Sequence, residues 1–343
     1  MGRNIRKLSL LFAFVAIVAG MYSLCNRVGG YVTPKENSVE VVKKVDEVPT
    51  TTPTTVLTTV PTTKTKVNKT NKETVPTTSS GKNYPVIEKQ FGEDGITYDN
   101  FCVKNYTDFS LDIATELKRG LPFKIENNHQ VQVLIFHTHT CESYFFFNDT
   151  ATTEIYTLSL HDALPIYVTA VGDEIEKQLK KAGIGVIHDK TKHDYPSYNG
   201  GYDRSYQTIQ KYMEKYKGIK VVLDIHRDAI GEGGESGKVK PTFKYKGKKA
   251  SQIMIMTGYQ YEGGGDFPFW RDNLDFAIKL QQTAETMYPG LTRPLNFGEY
   301  TYNLNVCNGS LLIEFGTDVN TIDEVKRSGK MVGKALAKVL QNN

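Results

Sequence analysis

Chemistry in this sequence concentrates where three apolar runs meet polar side chains. Val131–Phe136 leads into His137-Thr138-His139-Thr140-Cys141-Glu142-Ser143-Tyr144. Lys220–Ile225 passes through Asp224 into His226-Arg227-Asp228, and Leu311–Phe315 carries Glu314 in its interior. An apolar strand seldom ends in histidine unless the imidazole has a partner or a reaction to serve. Two histidines and a carboxylate form a ligand set for catalytic zinc, with a fourth position left to water. Zinc brings the pKa of that water toward neutrality. A further carboxylate can take the water's proton and hand it to a leaving amine. Glu314 suits that role, because an apolar strand desolvates its carboxyl and raises its pKa.

Each residue has a plainer alternative. His137 is the expected ligand and His139 the alternative, although on a strand both would share one face. Glu142 is a ligand or a carboxylate at a helix N-terminus. His226 completes the metal set. Glu314 is a catalytic carboxylate or a salt-bridge partner of Arg227. Arg227 offers a planar fork for a substrate carboxylate, and Asp224 a carboxylate behind a ligand. Cys141 could be a thiolate ligand or nucleophile, but with Glu, two His and no CxxC it reads as a bystander. Cys25, Cys102 and Cys307 show no metal spacing.

The elements that must position these residues follow from periodicity. Val131–Phe136, Gly185–His188, Lys220–Ile225, Ser251–Thr257 and Leu311–Phe315 read as strands. Leu111–Leu117, Val171–Ala182, Tyr202–Tyr216, Leu274–Met287 and Ile322–Leu340 read as helices. In Val171–Ala182, Ile175, Leu179 and Ala182 share a face, and Gly183 and Gly185 end it. The alternation predicts the α/β class, an open mixed sheet with helices on both faces. Strands that turn polar at their C-terminal ends are where such sheets carry sites.

Composition narrows the class of function. With 39% hydrophobic and 11% aromatic residues the 343-residue chain is not wholly disordered, and four cysteines make no disulfide scaffold. Mean hydropathy of −0.39 with one long apolar run excludes a polytopic membrane protein. The net charge of +4 divides unevenly. Residues 1–85 hold twelve Lys and Arg against five acids, +7, and the remainder holds thirty against thirty-three, −3. The folded part is slightly acidic, so no nucleic-acid partner is expected.

Arg3, Arg6 and Lys7 precede an apolar run of about 17 residues, Leu8–Leu24. Residues 1–30 therefore read as a membrane anchor or signal peptide, with an uncleaved single-pass anchor favoured. Residues 31–85 read as a Thr/Pro/Lys-rich disordered linker, and residues 86–343 as the catalytic domain. Residues 148–166, NDTATTEIYTLSLHDALPI, can be written as one uninterrupted codon string that looks like a DNA-sequencing adapter. They read as a translated assembly artefact, so Glu154, His161 and Asp162 are kept out of any site.

The segments Val133–Tyr144, Val221–Ile230, Ser251–Gly258, Met287–Pro294 and Leu311–Glu324 resemble the stage II sporulation protein P family. HTHTCES and DIHRDA, in that order, followed by the strand-borne Glu314 and then Asn320, carry the resemblance. It implies a fold similar to the zinc-dependent N-acetylmuramoyl-L-alanine amidases and a peptidoglycan hydrolase of spore engulfment. Such an enzyme removes stem peptides and can also cut peptide cross-links. By position it puts Zn²⁺ on His137, Glu142 and His226 and catalysis on Glu314. It implies stage II sporulation proteins D and M as partners and an anchored, extracytoplasmic domain facing the cell wall or septum. Two other readings are a catalytically vestigial wall-binding scaffold and a generic zinc carboxypeptidase or protease. A zymogram separates the first, and dependence on the muramoyl group the second.

Overall fold

The computed structural model describes residues 85–126, 128–144, 167–263 and 265–342. The expected anchor, nearly all of the expected linker and the adapter-like segment lie outside the described residues. No helix among the described residues is long and apolar enough to cross a membrane.

Eleven strands are described: β1 Val86–Lys89, β2 Ile96–Tyr98, β3 Phe101–Asn105, β4 Val131–Phe136, β5 Gly185–His188, β6 Val221–Asp228, β7 Lys238–Tyr245, β8 Lys248–Ser251, β9 Ile253–Gly258, β10 Leu295–Gly298 and β11 Ser310–Thr317. Five α-helices accompany them: α1 Ile113–Arg119, α2 Thr169–Lys181, α3 Gly201–Lys215, α4 Trp270–Met287 and α5 Ile322–Gln341. Eight strands form one sheet in the order β2-β3-β10-β9-β11-β6-β4-β5, and β1-β7-β8 form a second. In the large sheet β5, β4, β6 and β11 run parallel, whereas β9 runs antiparallel to β11. The sheet is therefore mixed, as the sequence pattern predicts.

Burial on both faces explains the near-continuous apolar character of β4 and β6. Val133, Ile135, Leu223 and Ile225 point to one side, into the cluster that includes Val171, Ile175 and Leu179 of α2 and the apolar stripes of α4 and α5. Leu134, Phe136 and Val222 point to the other, against Ile209 of α3. Residues four apart supply each helix's buried stripe. Small residues let α5 approach α2. A Cβ at Gly333 would stand 2.9 Å from Gln178 Cβ, and one at Gly329 would stand 3.0 Å from Val171 Cγ1.

The period-two rule then fixes where chemistry can sit. On β6, Asp224 and His226 share the face of Val222, which α3 covers. Glu314 lies directly opposite His226 in the parallel pairing of β11 with β6. Just beyond it Gly316 takes φ 62°, and Asn320 Oδ1 accepts from the Thr317 amide at 2.8 Å. Asn320 Nδ2 donates to Pro241 O and to Glu324 Oε2. Asn320, part of the family-like pattern, thus braces the turn from β11 into α5.

Candidate active site

β4 stops at Phe136, and His137–Cys141 form a turn closed by Glu142 N donating to His139 O at 3.1 Å. The turn breaks the alternation that would have kept both histidines on one face, so the two imidazoles separate. His137 is fully buried, with Nδ1 2.8 Å from Ile225 O and Nε2 2.8 Å from His188 Nε2. Both nitrogens are engaged, so His137 is not placed as the metal ligand expected of it. His139 faces the other way. Its ring is 5.5 Å from that of His226, edge to face, and stacks on Tyr198 at 3.8 Å. His139 Nδ1 is buried with no hydrogen-bond partner.

His226 stands between two carboxylates. Nδ1 lies 3.6 Å from Glu142 Oε2, and Nε2 lies 2.9 Å from Asp224 Oδ1, off the line of a hydrogen bond. Thr138 fixes Asp224 twice, donating from N to Oδ1 at 2.9 Å and from Oγ1 to Oδ2 at 2.7 Å. Glu142 Oε2 accepts from the Arg227 amide at 2.9 Å, while Oε1 is buried without a partner. Burial alone would lower the pKa of His226, but Asp224 and then Glu142 outweigh it and hold the imidazole well above its usual value. Burial and the neighbouring His226 push His139 down to about 3.

Glu314 faces this group from β11. Oε2 is buried with no partner, and burial raises its pKa well above the carboxylate range, with Asp228 adding to the rise. The nearby Arg293 opposes that rise and pairs with Asp228 at 2.8 Å. Among the described residues no ion pair joins Glu314 to Arg227, so the salt-bridge alternative for Glu314 is not the one formed. Arg227 differs from its expected role. It is 3% exposed, with Nε donating to Ser143 O at 2.8 Å and Nη1 to Asp228 O at 3.3 Å. These bonds make it a positioning residue that ties β6 to the Glu142 segment. Cys141 donates its amide to Asp194 Oδ2 at 2.7 Å.

Sequence reading assigned no role to Tyr144, Tyr198, Tyr202, Asp228 or Arg293. Tyr144 is 7% exposed, and its buried hydroxyl lacks a partner although it lies within the fields of Glu142, Arg227 and Glu314. Its place directly after the HTHTCES cluster was the available signal. Tyr198 and Tyr202 wall His139, the second edge to face at 5.6 Å. Asp224, Thr138, Ser205 and Asn303 form one connected network. Thr138 Oγ1 lies 2.9 Å from Ser205 Oγ, to which Asn303 Nδ2 donates at 3.0 Å.

The residues that would hold a zinc ion here are His139, Glu142 and His226, but their ligand atoms do not all lie within 4.8 Å of one another, a spacing that among the described residues Asp173, Glu176 and His188 meet. The unpartnered Glu142 Oε1 and the carboxylates on either side of His226 are what points to a cation here.

Comparison with known proteins supplies the family. The stage II sporulation protein P of Bacillus subtilis (strain 168) is 28% identical over 211 residues, 57% of this chain and 48% of that protein. The chain thus spans about half the length of this curated relative. Among solved structures, the CwlD amidase of Clostridioides difficile, in complex with the GerS lipoprotein, aligns with 62% of this chain and 100% of its own. Its identity is 10% and its TM-score 0.37. The catalytic domain of CwlV, an N-acetylmuramoyl-L-alanine amidase from Bacillus (Paenibacillus) polymyxa var. colistinus, aligns over 62% and 100%, with 13% identity and a TM-score of 0.36. At these scores the structural likenesses add nothing to the match in sequence. The profile described as Stage II sporulation protein P (SpoIIP) matches residues 23–339, nearly the whole length that carries the three clusters, and the chain belongs to that family.

Proposed function

We propose that this protein is a zinc-dependent peptidoglycan hydrolase of sporulation that cleaves the amide between N-acetylmuramic acid and L-alanine, with peptide cross-links as a second substrate. The observation that carries the reading is Glu314, a buried carboxyl with an unpartnered oxygen, paired across the sheet with His226. Family membership supports it, and His139, Glu142 and His226 are the residues that would hold the zinc. Zinc in that ligand set would polarise the amide carbonyl and acidify a water.

The chain's own residues supply the rest. Glu314 Oε2 accepts the proton of the attacking water and returns it to the leaving amine nitrogen. Burial raises its pKa, so the carboxyl holds a proton more readily before returning it to the amine. Asp224, locked by Thr138, orients His226, and the Arg227 amide orients Glu142. The Tyr144 hydroxyl is a donor available to the oxygen that gains charge. The chain acts at the membrane face of the cell wall or septum during engulfment. It is held there by residues 1–30 and reaches through residues 31–85, with stage II sporulation proteins D and M as partners.

Glu314→Gln should keep its zinc and lose about 10²–10⁴-fold in release of stem peptides from purified sacculi. His226→Ala should lose the metal, read by elemental analysis. Turnover by Glu314→Gln at the wild-type rate would sink the reading. Absence of hydrolysis by the wild type, with sacculi still bound, would leave a wall-binding scaffold.

A further inference from the structure

A second group of ligating side chains lies behind the first. His188 ends β5, and Asp173 and Glu176 are one turn apart on α2. One ligand atom from each of the three lies within 4.8 Å of the other two. His188 Nδ1 is 3.1 Å from Asp173 Oδ1 and 3.8 Å from Glu176 Oε2, and the imidazole is 1% exposed. Its Nε2 meets His137 Nε2 at 2.8 Å, and His137 Nδ1 meets Ile225 O at 2.8 Å. Gly172 makes room for the pair. A Cβ there would stand 3.1 Å from His137 Nε2 and closer still to His188 Nε2.

Hydrogens do not balance along this chain of contacts. The Ile225 carbonyl and the Asp173 carboxylate only accept, so both Nδ1 atoms must carry a hydrogen. Two neutral imidazoles then have none left, and two bare Nε2 lone pairs face each other at 2.8 Å. A group on His188 Nδ1 that needs no hydrogen would relieve that contact. A metal ion in place of the hydrogen on His188 Nδ1 removes the conflict. The His188 hydrogen then sits on Nε2 and donates to His137 Nε2, and His137 Nδ1–H donates to Ile225 O. Both buried imidazoles stay neutral. A ligating histidine that donates through its other nitrogen is the usual arrangement at metal sites.

We propose that His188 Nδ1, Asp173 and Glu176 bind a divalent first-row transition ion, separate from the ion at His139, Glu142 and His226. One imidazole and two carboxylates suit Zn²⁺ or Mn²⁺. Lys190 sits on Asp173 Oδ1 at 2.6 Å and Lys180 on Glu176 Oε1 at 2.7 Å. Their side chains are 50% and 60% exposed, so both can swing into water when an ion enters. The ion pins α2 to β5 and, through His137, to the carbonyl beside His226. It does not depend on the hydrolase reading.

The test counts ions on the full chain, stripped by chelator and dialysed against Zn²⁺ or Mn²⁺. Wild type should hold two per chain. Asp173→Asn with Glu176→Gln should hold one, with an unchanged circular dichroism spectrum, and His226→Ala should hold the other. Equal content in wild type and the Asp173/Glu176 variant would overturn the site. A single ion lost with Asp173 and Glu176 but kept in His226→Ala would uphold this site and defeat the zinc assignment above.

Discussion

The two histidines of the HTHT turn show how two residues of the same type part company. His137 lies behind β4 with both nitrogens engaged, whereas His139 enters the cluster with His226. Sequence placed a metal here and favoured His137, although the choice between the two depends on where β4 stops. Glu314 was legible from its setting alone, as a carboxyl inside an apolar run. Tyr144 was not, because an aromatic beside an apolar strand reads as core. Its unpartnered hydroxyl gives a prediction in which two observables diverge. Tyr144→Phe removes a buried polar atom that has no partner, so thermal stability should hold or rise. Hydrolysis of sacculi should fall roughly 10²-fold if the hydroxyl supports the developing oxyanion. A fall in both would mark Tyr144 as structural.

Among the elements, α5 begins with a full capping box. Thr321 Oγ1 accepts from Glu324 N, and Glu324 Oε2 accepts from Thr321 N. Thr321→Ala should cost about 1 kcal/mol, seen as a melting point lower by about 2–4 °C. On α4, Asp275 lies at the junction with α1, where Glu116 and Arg119 meet it. Both Glu116 oxygens are held by Arg271, so Asp275 keeps the proton of the pair. Burial raises its pKa to about 7. The folded state then binds this proton more tightly than the unfolded chain does. The contribution is full below the unfolded value near 4 and is lost as pH rises through 7. Wild type should therefore lose melting temperature between pH 5 and pH 8, and Asp275→Asn should flatten that slope. An identical slope in both would assign the proton elsewhere.

For the whole molecule, the charge division, the anchor-like run and the Thr-rich stretch set apart a tail and a domain, and the domain is what the structure describes. The adapter-like residues 148–166 stand between the Glu142 segment and α2, so they bear on the site directly. Amplifying and sequencing the locus across this span should return different codons. Recovery of the same peptide from genomic DNA would make these residues native and reopen the boundary of the site.

Periodicity alone determined the five helices and five of the strands to within a few residues, because burial on one or both faces imposes a pattern that a single chain must carry. Polar residues at the ends of apolar strands, and Glu314 inside one, also drew His226, Glu142 and Glu314 into one expected site. The short strands β1–β3, β8 and β10 left no such signal, since three to five residues show no clear period, and in the eight-residue β7 three lysines and Pro241 interrupt the apolar pattern. The tertiary structure decided strand order, and with it that Glu314 stands opposite His226 although 88 positions separate them. It also decided that His188 meets His137, and that Arg227 bonds to main-chain carbonyls. These are contacts between distant segments, set by how the sheet pairs and where turns end, and no local pattern encodes them.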